Sequence, residues 1–337
     1  MVKQRLMALL AGFVLAAGAS SFAVAGPPPI VKHGTIACDL VEATPLVYAG
    51  KLYRFEYVRD RYKDNPAGQA CFRLVDLKTG EATAPFAMGY HLGSAFVEGK
   101  RVYVYGVKTW GADRIEVFWS DDLKTWQNKT ALVLEGWTIY NTSVCKDAAG
   151  YTMAIEIGDP PEVAGQRFTI YFAHAEDLLD WRLAPAACVY SKEKYSACPA
   201  LRFYHGRYYM VYLEHYSPAW YFAPHVIRSK DLEQWEDSPL NPLMRPGPED
   251  KQIANPKFTA EQRQHIAEAE NINNSDLDFC EFEGQTILYY SWGNQRGIEF
   301  LAEAMFDGSE KNFLAGYFPE AAAAPAPMDT AAPGPLQ

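Results

Sequence analysis

The chain has 337 residues, of which 31 are Lys or Arg and 41 are Asp or Glu, for a formal net charge of −10. An acidic balance with no basic run excludes nucleic acid and anionic membrane surfaces as principal partners, because clustered Lys and Arg hold both. Aromatic residues make up 14% of the chain, which suits a β-rich fold and a surface able to stack on flat rings.

From the N-terminus, residues 1–25 read as a cleavable signal peptide. Lys3 and Arg5 form a positive start, Met7 to Ala17 is the apolar run, and Ala23-Val-Ala25 is a small-residue cleavage site before Gly26. The apolar run falls short of the roughly 20 residues a spanning helix needs, and no later segment reaches that length. The expectation is a periplasmic or secreted protein with no membrane span. Removing Lys3 and Arg5 takes the mature charge to −12.

A strand-turn-strand signature then recurs. Its first copy is Leu46-Val-Tyr-Ala-Gly-Lys-Leu-Tyr-Arg-Phe-Glu-Tyr57, followed by Val75-Asp-Leu-Lys-Thr-Gly80. The second is Ser94-Ala-Phe-Val-Glu-Gly-Lys-Arg-Val-Tyr-Val-Tyr105, then a strand at Arg114 to Trp119 and the phrase Ser120-Asp-Asp-Leu-Lys-Thr-Trp126. The phrase returns as His174-Ala-Glu-Asp-Leu-Leu-Asp-Trp181. It returns again as Ser229-Lys-Asp-Leu-Glu-Gln-Trp235, after the hairpin from Ala200 to Tyr212. A last, degenerate copy runs from Phe279 to Tyr290 and ends in Phe306-Asp-Gly-Ser-Glu-Lys-Asn-Phe313. The phrase tryptophans are 55 and 54 residues apart. Period-2 alternation around a turn glycine marks hairpins, and a fixed long period marks one unit used repeatedly.

The pattern predicts an all-β fold: a five-bladed β-propeller with four-stranded antiparallel blades, over residues 26–319. The Asp of the phrase should hold the turn into each outer strand, and its Trp should pack between blades. Thr259-Ala-Glu-Gln-Arg-Gln-His-Ile-Ala-Glu-Ala-Glu270 carries a capping box, predicting one short helical insertion between blades 4 and 5. Residues 320–337, rich in Ala and Pro, are expected to be disordered. The six cysteines show no C-x-x-C spacing, so a zinc cluster is not expected. Cys188–Cys198 is the first candidate for a disulfide, with buried free thiols the alternative.

A propeller's site lies on its axis at one face. Eight residues before the hairpin glycines Gly50, Gly99, Gly206 and Gly284 lie Glu42, His91, Cys198 and Asp276, where the inner strands begin. Asp278 should point the same way as Asp276 by strand alternation. Second strands that end at Glu156 and at Glu214-His215, and the loops beyond, bring further groups: Arg59, Trp110, Trp220, Trp292 and Arg296. Paired carboxylates at an aromatic-rimmed mouth suit glycoside hydrolysis, in which one carboxyl protonates the leaving group while another acts as base or nucleophile. The candidate catalytic groups are therefore Asp276, Glu42, Glu156, Glu214 and Asp278. The candidate sugar contacts are Arg59, His91, Trp110, His215, Trp220, Trp292 and Arg296. No cofactor or metal is required, although Asp276 and Asp278 could accept an axial calcium ion.

Five repeats bearing Ser-x-Asp-Leu-x-x-Trp phrases resemble the five-bladed propeller glycosidases: the arabinanase and xylosidase group of glycoside hydrolase family 43 and the invertase and levanase group of family 32. The resemblance implies a glycosidase with a carbohydrate substrate. It also implies an acidic group on blade one, where Glu42-Ala-Thr-Pro45 stands in place of the usual Asp. Blade three begins Tyr140-Asn-Thr-Ser143 and blade four Ser196-Ala-Cys-Pro199, without the carboxylates those families carry there. The expectation is a divergent glycoside hydrolase whose carboxylates sit elsewhere, with a non-catalytic carbohydrate-binding propeller as the alternative.

Overall fold

A computed structural model describes residues 26–62, 65, 67–219 and 221–319. The expected signal peptide, the expected tail and Trp220 lie outside the described residues. The chain is almost entirely antiparallel β-structure with few helices.

The first strand, β1 (Val31–Cys38), is followed by a three-stranded group, β2 (Ala43–Tyr48), β3 (Lys51–Val58) and β4 (Cys71–Asp76). Bridges from Phe72 to Phe86 and from Val75 to Ala82 add the trace of a fourth strand. The second group is β5 (His91–Glu98), β6 (Arg101–Val107), β7 (Arg114–Ser120) and β8 (Gln127–Val133). The third is β9 (Thr138–Lys146), β10 (Tyr151–Asp159), β11 (Thr169–Ala175) and β12 (Arg182–Leu183), with helix α1 (Pro161–Ala164) between β10 and β11. The fourth is β13 (Ser196–Tyr204), β14 (Arg207–Tyr216), β15 (Tyr221–Ser229) and β16 (Trp235–Asp237). Helix α2 (Ala260–Glu268) comes next, capped by Thr259, whose hydroxyl accepts from Gln262 N while Gln262 Oε1 accepts from Thr259 N. The last group is β17 (Asn273–Phe282), β18 (Gln285–Gly293) and β19 (Glu299–Phe306), followed by helix α3 (Glu310–Gly316). First strands of successive groups touch in the order β2, β5, β9, β13, β17, and β17 returns to β2. Their faces therefore surround one central channel.

The sequence pattern does not anticipate the outer strand of the last group. Phe306 to Phe313 was expected to lead into it. Instead Ser309 caps α3, accepting from Asn312 N, and the outer position is filled by β1, antiparallel to β19. The two ends of the described chain thus close the same sheet.

The repeated phrase has a physical explanation. In the third copy Asp177 Oδ1 accepts from Leu179 N and Asp180 N, each at 3.0 Å. In the fourth, Asp231 Oδ1 accepts from Glu233 N at 2.9 Å and Gln234 N at 2.8 Å. The leucine that follows adopts a left-handed backbone, with φ of 60° at Leu123 and 66° at Leu178 and Leu232, and is buried beneath the turn. The tryptophans then pack onto the preceding group: Trp126 stacks on Phe86 at 3.7 Å, Trp181 meets Tyr105 edge-on, and Trp235 stacks on Phe172. Replacing Asp177 by Ala removes two turn bonds, and a loss of about 1 kcal/mol is expected, read as a lower urea midpoint at unchanged slope.

Packing between groups is close. Phe72 is fully buried and meets Phe55, Tyr57, Phe86 and Phe118 edge-on. Burying one such ring contributes about 1.5–3 kcal/mol. A Cβ at Gly93 would lie 2.6 Å from Phe55 and 2.8 Å from Phe72, so only glycine allows β5 this approach. All six cysteines are free thiols, so the Cys188–Cys198 bridge does not form. Cys188 packs in a core with Phe172 and Leu201, while Cys198 faces the channel. No helix among the described residues is long and apolar enough to cross a membrane.

Candidate functional site

Four first strands share a deformation at the mouth of the channel. In β5, β9, β13 and β17 the register slips by one residue, between His91 and Ser94, Ile139 and Thr142, Ala197 and Ala200, and Ser275 and Asp278. In β5, β13 and β17 one non-glycine residue within the slip takes positive φ: Leu92 at 53°, Cys198 at 51° and Asp276 at 49°. Such a bulge bends the strand and re-aims a side chain, at a conformational cost of order 1 kcal/mol. Around the axis Glu42 just before β2, Asn141 on β9, Cys198 on β13 and Asp276 and Asp278 on β17 line one cavity of about 40 Å³. That volume holds a few waters and no sugar ring.

Glu156 is almost fully buried where β10 passes beneath this cluster. Both of its hydrogen bonds fall on Oε2, from Cys198 N at 2.7 Å and Asn141 Nδ2 at 3.0 Å. Burial pushes its carboxyl up to about 7; those two donors oppose the shift, and the charges of Asp276 and Glu42 add to it. Asp276 accepts from Ser275 Oγ at 2.7 Å and shares the cavity wall with Cys198. Burial, with the nearby Glu42 charge, raises it to about 6. Glu42 takes both oxygens to Arg59 Nη2 at 3.1 Å, and Arg59 Nη1 reaches Glu299 Oε2 at 3.0 Å. Burial raises Glu299, and Arg59 opposes that shift. Arg59 is itself buried, lies over the rings of Tyr57, Tyr62 and Trp110, and has no partner for its Nε among the described residues.

An aromatic arc follows one side of the mouth. Trp110, about half exposed, meets Tyr140 edge-on, Tyr140 meets Phe168 at 4.8 Å, and Phe168 meets Tyr195. Tyr195 contacts both His215 and Phe222, which stack on each other at 4.5 Å. His91 sits where the first two groups meet, with Nδ1 2.7 Å from Tyr57 OH, and burial lowers its pKa.

The structure thus brings Glu42, Glu156, Asp276, Arg59 and His91 together, with Trp110 and His215 on the arc. It separates others. Glu214 turns away into the contact between the third and fourth groups, where it accepts from Tyr212 OH at 2.7 Å and lies 3.5 Å from Lys194. Asp278 lines the same cavity as Asp276, but it is engaged elsewhere. It pairs with Arg202 at 2.8 Å, deeper in the channel, and Arg202 also holds Glu310. Trp292 is not a loop residue: it is fully buried in β18, donates to Thr35 Oγ1 and stacks on Phe300, so it offers no face to a sugar. Arg296 lies exposed on the loop between β18 and β19. Among the described residues no group of three or more His, Cys, Asp and Glu side chains is placed to hold a metal ion. Counting back from the hairpin glycines places Cys198 at the axis without giving it a role; Glu299 is not found that way, although it opens a third strand directly after a mouth loop, a position that could have marked it.

No protein-family model matches the chain, and no curated protein matches it in sequence. Solved structures do match its fold. A glycoside hydrolase aligns over 83% of this chain and 92% of its own, with TM-score 0.59 and 14% identity. The α-L-arabinofuranosidase of Podospora anserina, solved with cellotriose, aligns over 82% and 92%, with TM-score 0.54 and 10% identity. A xylan β-1,4-xylosidase from Bacillus halodurans aligns over 82% of this chain and 54% of its own, with TM-score 0.52 and 12% identity. The chain therefore has the fold of the propeller glycoside hydrolases, at a sequence distance that marks it as divergent.

Proposed function

We propose that this chain is an exported five-bladed propeller glycoside hydrolase that uses Glu156 as general acid and Asp276 as general base. The observation that carries this reading is that Glu42 and Asp276, from two groups, line one cavity at the channel mouth while Glu156, from a third, is buried against the lining residues Cys198 and Asn141, with Glu156 and Asp276 buried enough to titrate near neutral pH. Acid and base roles need carboxyls whose environments differ, and these do. Glu156 keeps one oxygen free of hydrogen bonds and holds its proton at near-neutral pH. Asp276 loses its proton first. Glu42, locked by Arg59, supplies the negative field beside Asp276. The water-sized cavity suits a nucleophilic water, and the sugar would lie above it against the arc from Trp110 to Phe222.

The small cavity and the Glu42–Arg59 pair also support a second reading, a carbohydrate-binding propeller without catalysis. The test is reducing-sugar release by residues 26–337 from arabinose-, xylose-, glucose- and uronic-acid-containing glycans. Release from at least one glycan is expected, falling by about 100-fold or more in Asp276→Asn. Binding by calorimetry with no release from any glycan would establish the second reading. Export would be read by recovering the full-length chain, shortened near Ala25, from the periplasm or medium.

A further inference from the structure

Cys198 stands in the cluster but has no role in the chemistry above. Burial holds its thiol well above the ordinary cysteine range, and the neighbouring Asp276 and Glu156 carboxyls raise it further. A thiol that stays protonated is a hydrogen-bond donor and not a nucleophile. Its placement gives that donor a use. The left-handed bulge turns the main-chain N–H toward Glu156 Oε2, at 2.7 Å, while Cys198 lines the cavity together with Asp276. Asn141 Nδ2 lies 3.8 Å from Cys198 Sγ and donates to the same Glu156 oxygen at 3.0 Å. Cys198 therefore holds Glu156 with its backbone and stands beside Asp276 in the cavity wall.

We propose that Cys198 is a positioning residue that orders the carboxyl pair, its thiol donating to Asp276 while its main-chain N–H holds Glu156, so that the proton stays on Glu156. The inference rests on the hydrolase reading for its catalytic consequence, though not for its test. Because one bond is main-chain and the other side-chain, substitution separates them. Cys198→Ala removes the bond to Asp276 and the long Asn141 Nδ2 contact to sulfur, and keeps the main-chain bond to Glu156; Cys198→Ser restores both side-chain roles. The other groups facing the pair are Glu42 and Arg59 beside the first group, Glu299 on β19 and Tyr195 before β13, and neither substitution alters them.

The experiment is a carboxyl NMR titration of protein carrying ¹³C-labelled Asp and Glu, with the two signals assigned by their loss in Asp276→Asn and Glu156→Gln. In Cys198→Ala the Asp276 midpoint should rise by about one pH unit, the worth of one hydrogen bond to a carboxylate. The Glu156 midpoint should move much less, and Cys198→Ser should return Asp276 most of the way. If glycan release is also found, its acidic limb should shift upward in Cys198→Ala and recover in Cys198→Ser. An Asp276 midpoint unmoved in Cys198→Ala, in protein whose near-ultraviolet circular dichroism matches the parent, overturns the proposal. So does an equal shift of both carboxyls. The titration reads the same whether or not the protein cleaves a glycan, so failure of the hydrolase reading remains a separate result.

Discussion

Replacing Lys32 by Met should cost about 3–5 kcal/mol of stability, the usual penalty for leaving a buried charge without its partner. Lys32 lies on β1 and donates to Asp250 Oδ1 at 2.7 Å, Asn274 Oδ1 at 2.8 Å and Arg245 O at 2.6 Å. Asp250 is fully buried in a short helical turn, Pro248–Lys251, and also accepts from Tyr290 OH, Asn271 Nδ2, Asn274 Nδ2 and Gly247 N. This hub joins the closing strand β1, the insertion after the fourth group, and strands β17 and β18. Removing the ammonium leaves a buried carboxylate whose remaining donors are neutral. Thermal unfolding should shift down by roughly 10 °C for a domain of this size. The loss should shrink as pH falls, because burial raises the Asp250 carboxyl and Lys32, which opposes that, is gone, and Asp250→Asn in the Lys32→Met background should recover part of it. A shift under about 2 °C at neutral pH would mean that β1 contributes little to closure.

The repeat was legible because it is local. Each Asx turn, left-handed Leu and Trp falls within seven residues, and the turn chemistry is written in the residue types. The closing strand was not legible, because Val31 to Cys38 pairs with Phe300 to Met305, at the other end of the chain, with no turn between them to announce it. Its interrupted alternation, with register slips at His33 and Ile36, hides even its strand character.

The site was legible to the extent that counting back from hairpin glycines finds strand starts. That rule reached Glu42, His91, Cys198 and Asp276, all of which lie near the mouth. It did not reveal partners from distant strands, since Asp278 lines the same cavity as Asp276 but is paired with Arg202 of β13. It also failed where a strand ends later than its pattern suggests, as with Trp292 inside β18. Glu214 shows a third limit. Its position at the end of β14 was read from the pattern, but its partner Lys194 comes from a connection that no periodicity describes. Burial, which gives Glu156 its interest, is a property of what packs around it and has no local signal.

Replacing Glu156 by Gln should abolish glycan release, by about 10²–10⁴-fold for a lost general acid, and should stabilise the protein at alkaline pH. The second effect follows from the first cause. Burial raises the Glu156 carboxyl from 4.5 to about 7, so the folded state binds a proton that the unfolded state has already lost between those values. Stability from this group is therefore fully present below about pH 4.5, declines as pH rises, and is gone above about pH 7. A shift of that size corresponds to something on the order of 3 kcal/mol between the two ends. Gln carries no charge to bury, so the parent and Glu156→Gln should be similar at pH 5 and diverge at pH 8, with the variant melting higher. Activity in the parent should fall as pH rises through about 7, where the acid loses its proton, and fall again below about 6, where Asp276 gains one. The optimum is then narrow and slightly acidic. A variant that melts lower than the parent at pH 8 would mean that Glu156 is ionised and paired in the folded state, which would remove it from the acid role. The two measurements together separate a carboxyl kept for chemistry from one kept for packing, because only the former makes the folded protein less stable at neutral pH than its uncharged replacement.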